Sequence, residues 1–407
     1  MGISLIDRFA LSLLFQPIKL DLGLSDTQLG LLHGIAFGLF YAFMGVPLGY
    51  AVDRFSRKWI ICWGVVLWSA ATAWCGIARS YTQLLGARIG VGVGEAALAP
   101  AGYSMIADSV PRQHLGKAIS IFQMGSVLGG GLALAMGGQL YVAVQTWNLA
   151  ELPLLSALDG LASWRVTFVL LALPGLALAV LVALMREPKR ALVELRETPS
   201  AAQFMGQNKS LWIWFFLGNA CLVSISYANL TWAPTLFVRQ YGWTAGDAGW
   251  RMGLAMMVVA PAGVVIGGWL ADRWRAHQGA AGFVKVLQLC PPLAVPCVVA
   301  MYLASNAHAV LSAVIAIQFV ISLIVGVGPA LVQVLVPPLL RGRVSALYVL
   351  FVNLVGLGVG PVVIGLLSDR FFNSAGGVTS AVVAYSIAML SVASLAVVML
   401  RRSMPRS

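Results

Sequence analysis

Apolar runs of roughly 20 residues recur from one end of this chain to the other, the length a helix needs to cross a hydrocarbon core of about 30 Å. In lipid the backbone must satisfy its own hydrogen bonds, so such runs are read as helices. Only 10% of the residues are charged and 60% are hydrophobic, against about 25% charged in a soluble globular chain. The expectation is an all-α, polytopic membrane protein. Twelve helix candidates fall at 2–20, 27–51, 59–78, 82–107, 115–141, 163–185, 211–237, 247–271, 282–303, 308–336, 343–368 and 378–400.

A net charge of +12 would suggest nucleic acid as the partner of a soluble chain. Here the distribution points to the bilayer instead, and no nucleic-acid partner is expected. Most lysines and arginines fall in alternate connections, among them Arg57 and Lys58, Arg186 and Lys189, Arg273 and Arg275, Arg341 and Arg343, and Arg401 and Arg402. The positive-inside rule makes these segments cytoplasmic, with both termini inside a cell inner membrane. Trp59, Trp164, Trp212, Trp243 and Trp250 near span ends suit interfacial anchoring. Cys62, Cys75, Cys221, Cys290 and Cys297 lie in apolar runs without metal or redox spacing, so they read as packing residues, and no metal or cofactor is expected. The N-terminus lacks a basic leader region, and Asp7-Arg8 interrupts its apolar stretch, so a cleavable signal peptide is not expected.

One long, charge-rich inward connection, 186–210, divides the candidates six and six. The expected domains are a bundle at 1–185, a cytoplasmic linker at 186–210 and a second bundle at 211–407. The halves echo each other. Gly49, Asp53 and Arg54 after the second helix match Gly268, Asp272 and Arg273 after the eighth at a constant offset. "LGKAIS…GGGLALAMGG" (115–138) is matched by "RGRVSA…GLGVGPVVIG" (341–365). Two related six-helix halves are the pattern of a secondary transporter whose substrate site lies at the repeat interface near mid-membrane.

The stretch Gly49-x-x-x-Asp53-Arg54-x-x-Arg57-Lys58, between the second and third helices, resembles the signature of the major facilitator superfamily. Ser56 stands where glycine is usual. The resemblance implies two pseudo-symmetric six-helix bundles that rock about a central site, and a cytoplasmic latch of Asp53, Arg54, Arg57 and Lys58. An aspartate at a helix end beside arginines can form a charge-assisted pair in one state and lose it in another.

Of the 14 acids, Asp7 and Glu95 fall deep inside predicted spans. Asp7 precedes Asp21, and Glu95 follows Tyr81, by the same 14 residues, or roughly 21 Å at 1.5 Å per residue. The two carboxylates therefore share a level, together with Arg8. Arg88 stands two turns outward on the face of Glu95. A charge at the bilayer centre costs at least about 2.5–3.5 kcal/mol, so these side chains persist only around a wet cavity, paired. Burial favours a neutral acid and a neighbouring arginine favours its carboxylate; that competition lets Asp7 or Glu95 take up and release a proton. Static pairs, Arg8–Asp7 and Arg88–Glu95, are the competing expectation. The GxGxG of Gly90, Gly92 and Gly94 is not a dinucleotide loop, because no strand precedes it. His33, isolated near the outer part of the second helix, reads as a packing residue.

The second half offers Asn219, Ser224, Ser226, Tyr227, Asn229, Thr231, Gln318 and Asn353, and no deep charge. A cavity charged on one wall and weakly polar on the other suits an amphiphilic anion, with Arg8 and Arg88 at its head and Asn219 and Tyr227 further along. Residues 6–49, with "ARIGVGVGEAALAPAGYSMIAD" (87–108), resemble the spinster branch of the superfamily in its bacterial form. The likeness rests on Asp7-Arg8 and Gly94-Glu95-Ala96. It implies proton-linked Asp7 and Glu95, Arg8 as a headgroup partner, and lysophospholipid or sphingosine-1-phosphate-like cargo, as in animal members. The expected function is proton-coupled, alternating-access transport by a monomer. A carrier of a smaller organic anion or a multidrug efflux carrier is the alternative. An intramembrane lipid enzyme is disfavoured, since no His-Asp or Ser-His cluster shares a depth.

Overall fold

In a computed structural model the protein is described over residues 2–111, 114–153, 155–189, 200–337, 340–372 and 376–404. Among these residues, eleven helices are long and apolar enough to cross a membrane. A twelfth span precedes them, in two segments that meet at Leu14: Gly2–Leu13 and Phe15–Leu22, together α1. The others are α2 (Asp26–Arg54), α3 (Arg57–Ile77), α4 (Tyr81–Ser109), α5 (Leu115–Thr146), α6 (Ser163–Leu184), α7 (Lys209–Tyr241), α8 (Ala245–Gln278), α9 (Ala281–Leu303), α10 (Ala307–Leu335), α11 (Arg341–Arg370) and α12 (Gly377–Ser403). Local chemistry sets their ends. Gly23, at φ 63°, closes α1 in a left-handed cap. Ser25 and Gln28 form a reciprocal capping box at the start of α2. Ser56 and Ser80 cap α3 and α4 through their hydroxyls, and Asn306 caps α10.

The chain separates into two compact units, 1–192 with 234–257, and 193–233 with 258–407. The first therefore holds α1 to α6 and, beyond the expected boundary, the end of α7 and the start of α8. Residues 190–199 of the expected linker lie outside the described residues; a short helix, Ala201–Gln207, follows them. The connection after α5 holds two single 3₁₀ turns, Leu149–Glu151 and Ser156–Leu158.

Small residues set the packing within each unit. In the first, a Cβ on Gly76 of α3 would stand 2.4 Å from the carbonyl oxygen of Arg165 on α6, so these helices meet backbone to backbone. Gly94 of α4 lies as close to Gly64 and Trp68 of α3. In the second, Gly263 and Gly267 of α8, one turn apart, receive Phe319, Ser322 and Leu323 of α10. Without a hydrophobic drive between helices in lipid, such close approaches supply the van der Waals contact that holds a bundle.

Candidate functional site

Three interruptions fall in the helices of the first unit: Leu14 in α1, Gly34 in α2 and Ala96–Ala97 in α4. Helical hydrogen bonds continue through each: Ile18 N–H donates to the Leu14 carbonyl at 3.0 Å, Gly38 N–H to that of Gly34 at 2.7 Å and Ala96 N–H to that of Gly92 at 3.2 Å, so these are local irregularities of the helix rather than breaks. The deep charges gather between them. Arg8 Nη2 donates to Glu95 Oε2 at 2.8 Å, with Glu95 2% exposed. The Arg8 guanidinium stacks 4.2 Å from the Phe37 ring centroid and 5.6 Å from that of Tyr41, both on α2. The aromatic faces partly replace the water that the cation gives up. Asp7 is buried beside Thr72 of α3 and within electrostatic reach of Glu95 and Arg88.

The shared level of Asp7, Arg8 and Glu95 therefore corresponds to a real cluster, but neither expected pair forms. Arg8 reaches past its neighbour Asp7 to Glu95. Arg88 turns away from Glu95: Nη1 donates to the carbonyl oxygen of Asp7 at 3.3 Å and Nε to that of Leu32 at 3.4 Å. Side chains on a helix lean toward its N-terminus, which carries Arg88 toward the start of α4, to the Leu32 carbonyl of α2. Arg88 is wholly enclosed. Through these two carbonyls Arg88, expected as a substrate contact, joins α1 and α2 to α4. His33 is buried against the rings of Phe9 and Phe15, at 6.4 and 6.0 Å, and neither ring nitrogen has a hydrogen-bond partner among the described residues.

At the other end of α3 the latch residues divide. Arg57, 1% exposed, is the hub. Its guanidinium bonds Asp108 and Ser104 of α4, the Glu187 carboxylate at 3.2 Å and the Pro188 carbonyl at 2.6 Å. Glu187 also accepts from the Arg57 amide at 2.8 Å and from the Ser56 hydroxyl. Burial favours its neutral form, but these donors outweigh that and hold Glu187 below the usual carboxylate range. Lys58 places its amine 4.9 Å over the Trp59 ring and donates to the Ala183 carbonyl at 3.3 Å. Asp53 and Arg54 are exposed. Asp108 and Glu187 are thus partners of Arg57 that the motif did not name. Their signal was an acid near the end of one span and another at the head of the linker.

In the second unit Asn219 is buried, donating to the Phe215 carbonyl at 3.0 Å and accepting from the Tyr348 hydroxyl at 3.3 Å. The amide of Asn219, expected as a substrate contact, thus takes part in the α7–α11 packing. Tyr227 keeps a partly exposed ring beside Gly356, in a π-helical stretch of α11, Leu354–Val359. Ser226 and Gln318 bond each other at 2.9 and 2.6 Å.

The first unit also holds a cluster that sequence reasoning missed. Asp26, at the N-terminus of α2, accepts two bonds from Arg239 at 2.7 and 2.8 Å and one from Lys19 at 2.6 Å. Arg239 Nε reaches Gln16 at 2.6 Å. Close by, Gly249 and Gly253 of α8 abut the backbone of α5 at Leu134 and Gly131. Both sets of contacts join 234–257 to the first unit.

Twelve spans among the described residues, with an ion pair buried inside them, have the frame of a polytopic membrane transporter. The sequence profile of the Major Facilitator Superfamily matches residues 1–361, and the chain belongs to that family. It is 28% identical to an MFS-type efflux pump of Mycolicibacterium smegmatis, over 92% of this chain and 83% of that protein. It is 22% identical to protein spinster of Drosophila melanogaster, over 90% of this chain and 60% of the fly protein. A bacterial homolog to the human lysosomal transporter spinster, solved inward-facing and unoccupied, matches with a TM-score of 0.86 and 25% identity, over 99% of this chain and 95% of that one. The expected family, its spinster-like character and the helical fold are thereby borne out, and the relatives are transporters rather than enzymes.

Proposed function

We propose that the protein is a proton-coupled carrier of an amphiphilic anion, working by alternating access. The observation that carries this reading is the buried Arg8–Glu95 pair with Asp7 beside it. An anionic headgroup that takes Arg8 leaves Glu95 enclosed without its cation, and an uncompensated buried carboxylate takes a proton instead. Release of the headgroup restores the pair and expels the proton. Asp7, in reach of Glu95 and Arg88, is the second proton-linked group. Arg88 fixes the geometry, and Tyr227 offers its ring to the substrate's less polar part. Asp53, Arg54, Arg57 and Lys58, with Asp108 and Glu187, serve as the latch that changes partners during the cycle.

In proteoliposomes, Glu95→Gln is expected to abolish transport driven by a pH gradient while leaving expression and thermal stability intact. Undiminished gradient-driven uptake by that variant would falsify the proton role. Substrate class is tested by thermal stabilisation with lysolipids, sphingoid phosphates and small carboxylates at several pH values, since a ligand that binds the folded state raises its melting temperature. A second reading, transport of a compact organic acid, draws on a relative described as a probable L-galactonate transporter of Escherichia coli, 26% identical over 71% of this chain and 62% of that protein. Stabilisation by sugar acids but not by lysolipids would favour it.

A further inference from the structure

Away from the charged cluster, the first unit carries an apolar groove of about 560 Å³ between α2, α3 and α4. Leu48 of α2 lines one wall, Trp59, Trp63 and Leu67 of α3 the other, and Gly64, Gly94 and Ala97 form its floor. The glycines make the depth. A Cβ on Gly64 would stand 2.8 Å from both the Ala97 methyl and the Gly94 carbonyl oxygen. Trp63 is 66% and Leu67 44% exposed, so the groove opens sideways from the bundle.

We propose that this groove binds one acyl chain of an anionic phospholipid from the leaflet at the Arg54–Lys58 end. Three observations carry the assignment. From Ser56 to Leu67 the groove runs along α3 for roughly 16 Å at 1.5 Å per residue, close to half of a hydrocarbon core about 30 Å thick. One leaflet's chain fits that length. The mouth is basic: Arg54 is exposed and has no ion-pair partner among the described residues, and the Lys58 amine sits over Trp59, which lines the groove. The acids nearest that end, Glu187 and Asp108, are held by Arg57; Asp53 is the one exposed carboxylate there. Finally, the floor is the outer side of the α4 interruption. Gly94 and Ala97 flank Glu95 and Ala96, so a chain lying on them braces the backbone that aims Glu95. This last consequence rests on the transport reading above; the binding does not.

The test separates the two. The purified protein, in mild detergent, is examined by native mass spectrometry with dipalmitoyl phosphatidylglycerol and with dipalmitoyl phosphatidylcholine. The expected result is one phosphatidylglycerol retained per chain, at least ten-fold more tightly than phosphatidylcholine. Leu67→Trp, which fills the groove from its open wall, is expected to weaken retention ten-fold or more, and Arg54→Gln to erase the preference for the anionic head. A photoreactive phosphatidylglycerol bearing its diazirine on the chain is expected to label the 59–67 peptide of the unmodified protein, a readout that depends on no variant. Equal retention of the two lipids, unchanged retention by Leu67→Trp, or labelling elsewhere would each overturn the assignment. Retained lipid with no effect of Leu67→Trp on gradient-driven transport would leave the site standing and remove its link to Glu95.

Discussion

At the scale of the residue, the depth of a charge was readable and its partner was not. Counting along α1 and α4 brings Asp7, Arg8 and Glu95 to one layer, because helical rise is constant. Partner choice depends on the direction of side chains and on the irregularities at Leu14, Gly34 and Ala96–Ala97, which periodicity does not reveal. Arg8 therefore crosses to Glu95 while Arg88 is drawn to two backbone carbonyls. Arg8 also depends on its flat shape, stacked on Phe37. Arg8→Lys keeps the charge and loses the stacking and the fork; its expected effect is a rise in apparent substrate KM of about ten-fold, near 1.4 kcal/mol, with proton coupling retained. Arg8→Gln, by contrast, is expected to remove gradient-driven flux altogether. Initial-rate uptake into proteoliposomes, with and without a pH gradient, separates these outcomes. An Arg8→Lys protein with unaltered KM would show that the planar guanidinium has no part in recognition.

Among the elements, α3 binds most of the first unit together. Its small residues meet α4 and α6, and its first residue, Arg57, ties α4 to the start of the linker. The basic motif was visible in the sequence as a topology signal and a resemblance. The acids that engage it were not, because Asp108 and Glu187 lie 51 and 130 residues away and neither belongs to the motif. Glu187 makes this junction sensitive to acid. Its folded form holds the proton less readily than the free side chain, so its stabilising contribution is complete above the ordinary glutamate value, about 4.3, and disappears as pH falls through the lowered folded value. Melting curves of the wild type and Glu187→Gln are expected to differ by a few degrees at pH 7 and to converge only as pH falls through the lowered folded value. A constant gap across that range would mean that the carboxylate's charge contributes nothing.

For the whole molecule, two six-helix halves could be read from the spacing of apolar runs and the repeated Gly-x-x-x-Asp-Arg. The boundary between compact units could not. Arg239 looks in sequence like one more interfacial cation; its acceptor Asp26 is 213 residues distant. Removing that clamp by Arg239→Gln is expected to loosen 234–257 from α1, α2 and α5. A cysteine placed at Val142, which touches Gly246, should then react several-fold faster with a membrane-impermeant maleimide in a background lacking the native cysteines. Equal labelling rates would assign the packing of this segment to its glycines alone. The quartet of Asp7, Arg8, Arg88 and Glu95 has an electrical consequence as well. With both acids ionised its charges cancel. On the proposed cycle, a proton on Glu95 leaves an excess of one positive charge, and a monoanionic head on Arg8 cancels it again. The loaded protein then crosses the field as a neutral body, so a membrane voltage, worth about 2.3 kcal/mol per charge for each 100 mV, neither speeds nor slows a singly charged cargo. A doubly charged head would carry current unless Asp7 also took a proton.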